Sequence, residues 1–146
     1  MTNEEFPPIG GEGWLADLPA YQKSVINELL SAGKTEEEVA EYWLNRAGAD
    51  NNVGFGTGGS LKTYYTNLRE ELDAFICGEA RYEKERSEAA VLWNKGGKPA
   101  VVAFVTTVVA PQVGLAAAAL IPAVALTFSV IGRAGVAAYC KTRRER

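Results

Sequence analysis

The residues best suited to bind a ligand follow a glycine-rich segment near the middle of the chain. From residue 54 the sequence reads GFGTGGSLKT, and its last glycines and serine open a predicted helix. Backbone N–H groups and the helix dipole favour an anion at such an N-terminus, and a lysine lies within the first turn. The predicted ligand-binding set is Gly58, Gly59, Ser60, Lys62 and Arg69. The alternative is a flexible linker in which Ser60 is an ordinary helix cap.

This segment is not a nucleotide-hydrolysing P-loop, which requires lysine and a hydroxyl residue directly after the second spaced glycine. Ser60 and Leu61 occupy those positions, and no apolar strand precedes the loop. The chain has no histidine, the commonest general base and metal ligand. Paired carboxylates at 36–38 and 70–71 are typical of solvated helix faces. We therefore expect no enzymatic activity, no cofactor and no metal.

The longest uncharged segment runs from Pro99 to Gly132, 34 residues without a charged side chain. A straight helix of this length measures about 50 Å, well beyond the ~30 Å hydrocarbon core of a bilayer. The run Pro111-Gln112-Val113-Gly114 interrupts it near the middle. The sequence therefore predicts a transmembrane hairpin with short spans over 97–111 and 113–138.

Basic residues flank this segment on both sides, with Lys95 and Lys98 before it and five more from Arg133 onward. The positive-inside rule then predicts a bacterial inner-membrane protein with both termini in the cytoplasm. Two alternatives are a single tilted span that follows a buried helix, and a buried core helix pair in a soluble protein. The second is disfavoured because so short a chain offers little mass to wrap the pair.

Cys77 and Cys140 are too few and too far apart in sequence to predict a disulfide, so a reducing cytoplasm is expected. We interpret Cys140 as a small apolar residue rather than an acylation site. The first ten residues are acidic and lack an apolar core, so we expect no signal peptide.

The predicted fold is all-α, with a cytoplasmic helical head (1–78), a charged stalk (79–97), the transmembrane hairpin (98–140) and a basic tail (141–146). In the head, Thr35 and Glu38 form a capping box that starts the second helix, after the first ends near Gly33. A third, long helix begins at Ser60. The stalk has too few apolar positions to pack on the head, and Gly96-Gly97 is the predicted hinge.

The two halves of the chain differ in charge. Residues 1–95 carry 9 Lys and Arg against 17 Asp and Glu, whereas residues 96–146 carry 6 against 1. The acidic head excludes duplex nucleic acid as a partner, because a general nucleic-acid binder presents a basic face. The basic tail is suited to anionic lipid headgroups.

The hairpin has features of an assembling membrane segment. Gly114 and Ala118 begin a small-residue pattern that lets transmembrane helices approach closely, and Pro122 predicts a kink. Short, small-residue-rich spans favour a homo-oligomer, whose lumen could gate by dewetting. The predicted pore and gate residues are Thr106, Gln112, Pro122 and Thr127. A plain membrane anchor is the alternative.

A small acidic helical head, a charged stalk and the hairpin PAVVAFVTTVVAPQVGLAAAALIPAVALTFSVIGR resemble the two-span effectors of bacterial anti-phage abortive-infection systems, including those of the Hailong type. The resemblance is architectural and rests on no shared motif. It implies a homo-oligomeric channel that depolarises the inner membrane, controlled by an oligonucleotide from a partner nucleotidyltransferase. Two alternatives are a membrane-anchored adaptor that binds a protein through Trp14, Tyr21 or Trp43, and an immunity protein.

Overall fold

The computed structural model describes the backbone of residues 13–51 and 60–144, and the side chains of residues 13–46 and 64–142. Within these ranges the chain forms helices joined by short connections, and no strand occurs, which confirms the all-α prediction. The helices are α1 (Ala20–Ser31), α2 (Glu36–Asn51), α3 (Ser60–Ile76), a 3₁₀ turn (Ala80–Tyr82), α4 (Glu83–Val113), α5 (Ala117–Ala134) and α6 (Val136–Arg144).

Local signals define the ends of the first helices, as the sequence predicts. The backbone N–H of Thr35 donates to Glu38 Oε1 at 2.9 Å, and that of Glu38 donates to Thr35 Oγ1 at 3.0 Å. This reciprocal pair is the predicted capping box. Gly33 has φ +99° directly after α1, a conformation that glycine adopts without steric cost.

The predicted hinge at Gly96-Gly97 is confirmed as a kink inside α4, where Gly97 has φ 69° and ψ −154°. Pro99 then lies in the first turn after the kink, where its missing N–H costs no helical hydrogen bond. Pro111 does not end the helix as expected. α4 continues to Val113, and the chain turns at Gly114, which caps it with φ 97°.

Helices from the predicted head and from the predicted hairpin contribute to one hydrophobic core. Val39, Ala40 and Leu44 of α2 are buried against α5, and Leu126 and Phe128 of α5 lie in the same core. The physical reason is that the apolar face of α2 and the apolar helix α5 must both leave water, and each covers the other.

The segment predicted as a solvated stalk is also packed. Arg86 is only 1% exposed, and Tyr82 and Ala89 are buried. The Arg86 guanidinium donates from Nη1 to the backbone oxygen of Phe75 at 3.1 Å and to that of Ala74 at 3.4 Å. Because the last carbonyls of α3 lack intrahelical donors, a cation from α4 caps them and draws the segment inward.

A two-span hairpin is not confirmed. Among the described residues only α5 is long and apolar enough to cross a membrane, and 56% of it is buried inside the protein. The core helix of a soluble protein can meet the same criteria of length and composition. The first span was predicted over 97–111. The helix found there is the part of α4 after the kink, which counts 16 residues from Lys98 to Val113 and is shorter than the ~20 that a span needs.

Candidate functional site

The candidate site is the uncharged hairpin, which we define as residues 99–132: the end of α4, the turn at 114–116 and most of α5. Its outer surface carries no charge. The exposed side chains and turn residues include Ala103, Thr107, Pro111, Gln112, Gly114, Ala116 and Ala118. A continuous surface without charged groups can contact an apolar phase at little desolvation cost. Lipid contact is therefore chemically possible at the tip of the hairpin.

The inner face of the hairpin is buried. Val101, Val105 and Val109 of α4 are buried, as are Ala123 and Val124 of α5. These small and β-branched side chains allow the two helices to approach closely, as in membrane helix pairs. The hairpin therefore has an internal apolar interface as well as an uncharged outer surface.

The four predicted pore residues do not share one surface. Pro122 and Thr127 are buried within α5, whereas Gln112 is exposed near the tip. Thr127 Oγ1 donates to the carbonyl oxygen of Ala123 at 2.8 Å. Thr106 is fully buried, and its hydroxyl has no hydrogen-bond partner among the described residues. An unpaired buried hydroxyl is unusual enough to require an explanation.

One polar contact fastens α2 to the end of α5, and we call it the α2–α5 clamp: Glu36, Ser129 and Arg133. Ser129 Oγ donates to Glu36 Oε2 at 3.0 Å, and Arg133 Nη1 donates to the same oxygen at 3.1 Å. Arg133 Nη2 also donates to Glu36 Oε1. The hydrogen bond from Arg133 holds the pKa of Glu36 below its ordinary value, although partial burial acts in the opposite direction. The clamp joins α2 to Arg133, the first charged residue after the uncharged segment.

A second polar cluster joins α3, α2 and α6. Arg69 donates from Nη1 to Glu37 Oε2 at 2.7 Å and to the Tyr65 hydroxyl at 3.1 Å, and from Nη2 to the Tyr139 hydroxyl at 2.5 Å. The Tyr139 hydroxyl in turn donates to Asp73 Oδ1 at 2.5 Å. Burial, together with this hydrogen bond, raises the pKa of Tyr139 to about 12. Tyr139 therefore keeps its proton near neutral pH and acts as the donor.

Next to Tyr139, Cys140 of α6 forms a disulfide with Cys77 beyond the end of α3, and their Cα atoms are 5.4 Å apart. The expectation of two unpaired cysteines is therefore wrong. Their separation of 63 residues along the chain gave no hint of the pairing, because the α4–α5 hairpin returns the chain to its starting point. A disulfide depends on the distance between Cα atoms in space, which must fall near 4.4–6.8 Å.

The predicted ligand-binding residues are only partly covered by the structure. Gly58 and Gly59 lie outside the described residues, and Ser60 and Lys62 fall in the first turn of α3, where only the backbone is described. Arg69 lies on α3 and faces the protein's own carboxylate and phenol groups. The anion site at the start of α3 stays a prediction. Among the described residues no group of three or more His, Cys, Asp or Glu side chains is arranged to bind a metal ion.

Aromatic side chains close the base of the hairpin. Lys98 Nζ lies 5.3 Å from the ring centroids of both Trp14 and Trp93, within cation–π range. Trp14 also packs edge-on against Phe128 at 5.0 Å between centroids and is 4% exposed. Of the aromatic residues considered for partner binding, Trp14 is thus occupied inside the protein, whereas Tyr21 is 67% exposed.

Sequence reasoning missed Glu36, Arg86, Arg133 and both cysteines as structural contacts. Each was visible only as a charge on a helix or as an isolated thiol. Its partner lies on another element, so no local pattern could have identified the pair. No known protein family, curated protein or solved structure matches this chain.

Proposed function

We propose that this chain is a membrane-active protein whose uncharged hairpin inserts into a bilayer and assembles with further copies into a depolarising pore. The observation that carries the proposal is the 34-residue segment without charge, which the fold arranges as two antiparallel helices with an uncharged tip. Basic side chains at its base, Lys95, Lys98, Arg133 and Lys141, are suited to anionic headgroups at the same membrane surface.

The packing of the bundle supports a protein in which α5 moves from the apolar interior of the bundle into the apolar interior of a bilayer. Here α2 and α4 bury the inner side of α5. Lipid tails are as apolar as the leucine and valine side chains that line this contact, so insertion replaces helix packing without exposing α5 to water. The apolar face of α2 loses its cover when α5 leaves, so the free-energy difference between the two states depends on what buries that face in the assembled state.

The positions of the two cysteines support insertion as a hairpin. Cys77 and Cys140 lie on either side of the uncharged segment, and the compact fold brings them together. The two ends of the segment therefore start on the same side of a membrane, and a segment whose ends stay on that side crosses the bilayer twice or not at all. The 16 residues of α4 after the kink give about 24 Å of helix at 1.5 Å per residue, short of the ~30 Å core. Short spans favour local bilayer thinning and oligomerisation.

The unpaired hydroxyl of Thr106 supports an assembled state. A buried hydroxyl without a partner costs roughly 1–3 kcal/mol, so the compact monomer carries this cost at Thr106 of α4. Movement of α4 out of the bundle, followed by contact with a lumen or a neighbouring copy, would give the hydroxyl a partner. Control by a nucleotide-type ligand at the head, residence in the bacterial inner membrane with both termini cytoplasmic, and a role in anti-phage defence stay predictions within this proposal.

The proposal is tested by the membrane potential of bacteria that express the chain, read with a voltage-sensitive dye. Ala103→Lys places a charge on the exposed face of the hairpin, where the compact fold tolerates it but the bilayer centre penalises it by ~2.5–3.5 kcal/mol or more. Val91→Lys is the matched control, since Val91 is an exposed position of the same helix before the kink.

We expect depolarisation by the unaltered chain and by Val91→Lys, and its loss in Ala103→Lys and in a chain ending before Lys98. Equal behaviour of the two lysine variants, or no depolarisation by any form, contradicts the pore. In the second case, replacement of residues 98–140 by an unrelated anchor tests the adaptor alternative.

A further inference from the structure

The disulfide encloses the entire candidate site. Between Cys77 and Cys140 the chain forms the 3₁₀ turn, α4 and α5, so the covalent loop contains the whole uncharged hairpin. α6 follows α5 after a single glycine, Gly135, with φ 88°. The position of α6 therefore fixes where the C-terminal end of α5 lies.

Two neighbouring residues attach α6 to α3. Cys140 is buried and bonded to Cys77, and the hydroxyl of Tyr139 contacts Asp73 and Arg69. The remaining described side chains of α6 are largely at the surface: Val136 is partly buried, and Ala137, Ala138, Lys141 and Thr142 are exposed. Without the covalent bond, α6 is held on α3 chiefly by the hydroxyl contacts of a single side chain, Tyr139.

From this arrangement we propose that the Cys77–Cys140 disulfide is a redox latch on the hairpin. In the oxidised protein the bond holds α6 on α3 and keeps α5 in the compact bundle. Reduction by a dithiol frees α6, and the end of α5 can then leave α2. This inference rests on the proposed membrane function and adds its control.

The exchange chemistry follows from the exposure of the two sulfur atoms. Cys77 is partly exposed and Cys140 is 5% exposed, so a reductant thiolate attacks Sγ of Cys77. The Cys77–Cys140 bond breaks, a mixed disulfide forms with Cys77, and Cys140 leaves as a thiolate that takes up a proton.

The second thiol of the reductant, as its thiolate, then attacks the reductant sulfur that is bonded to Cys77. This step releases Cys77 as a thiolate, which is protonated in turn. Two electrons pass from the dithiol to the protein, and the reductant becomes a disulfide. The latch stays closed in an oxidising compartment and opens where dithiols are abundant.

The test uses the full chain, purified in its oxidised form, and vesicles of anionic phospholipid that contain a self-quenched dye. Dye release is followed before and after treatment with a phosphine reductant, which cleaves the disulfide without forming a mixed disulfide. We expect release to accelerate at least tenfold on reduction and to slow again on reoxidation of the same sample. Because this comparison needs no substitution, it does not depend on the folding of a variant.

Two variants separate the latch from general loosening of the bundle. Cys140→Ser should release dye at the reduced rate with or without reductant. Glu36→Gln weakens the α2–α5 clamp but keeps the disulfide, so it should retain the tenfold response. Equal release by oxidised and reduced protein, or faster release by the oxidised form, overturns the latch and leaves the pore standing. No release by any form, Cys140→Ser included, overturns both.

Discussion

Thr106 and Thr127 provide a matched pair for measuring what a buried hydroxyl costs in the hairpin. Both side chains are buried, Thr106 in α4 and Thr127 in α5. Thr127 Oγ1 donates to the Ala123 carbonyl at 2.8 Å, whereas Thr106 Oγ1 has no partner among the described residues. Valine has nearly the shape of threonine without the hydroxyl. The two Thr→Val substitutions therefore differ in whether a hydrogen bond is lost.

Only Thr106→Val is expected to raise the stability of the fold. An unpaired buried hydroxyl costs roughly 1–3 kcal/mol, so Thr106→Val should raise the free energy of unfolding by about 1–2 kcal/mol. At this chain length each 1 kcal/mol shifts Tm by about 2–4 °C. Thr127→Val removes a hydrogen bond with a net value of roughly 0.5–1.5 kcal/mol. It should leave stability unchanged or lower it by about 1 kcal/mol.

The assay is urea unfolding of the oxidised full chain, followed by far-ultraviolet circular dichroism at two protein concentrations. Thr106→Val should also slow dye release from vesicles, because the substitution makes the compact state more stable and removes a polar contact from the assembled state. If Thr106→Val lowers stability as much as Thr127→Val does, the Thr106 hydroxyl has a partner in solution and the reasoning is refuted.

Three further substitutions test other contacts of the bundle. Arg86→Met should lower the free energy of unfolding by about 2 kcal/mol in urea titration, because the carbonyl oxygen of Phe75 loses the guanidinium donor; an unchanged midpoint would show that water replaces the guanidinium. Gly97→Ala should lower it by about 1–3 kcal/mol, since φ 69° with ψ −154° is accessible essentially only to glycine; a stability equal to the unaltered protein would mean that the kink straightens. Glu36→Gln tests the clamp with Arg133. The pKa of Glu36 in the folded state lies below 4.5, so the ionised carboxylate stabilises the fold above that pH. This stabilisation is lost as the pH falls through the folded-state pKa. The variant should therefore be less stable near pH 7 by about 1 kcal/mol or less and equal to the unaltered chain in acid, and a constant difference across thermal melts from pH 7 to pH 3 would contradict this.

Local sequence patterns predicted that the chain is helical, and they predicted several of the helix ends. The capping box of Thr35 and Glu38, the end of α1 at Gly33 and the hinge at Gly97 each depend on residues within one turn of the chain. Such signals need no tertiary contact, because a cap bonds its own helix and a positive φ favours glycine in any context. The segment without charge could likewise be read directly from the sequence. The turn at Gly114 lies within the interruption that the sequence predicted.

What the sequence by itself determined is therefore the all-helical character, the breaks near Gly33, Gly97 and Gly114, and the absence of charge from residues 99–132. The break between α5 and α6 at Gly135 was not foreseen, because it lies inside the predicted second span over 113–138. Only the tertiary structure decided what those helices pack against. α2 covers α5, Arg86 caps α3, Glu36 reaches Arg133 across 97 positions and Cys77 meets Cys140 across 63. Each of these pairs joins residues that are distant in sequence, and their proximity results from the return of the chain through the α4–α5 hairpin. Burial of two apolar helix faces against each other fixes that return, and no pattern within a single helix encodes which faces will meet.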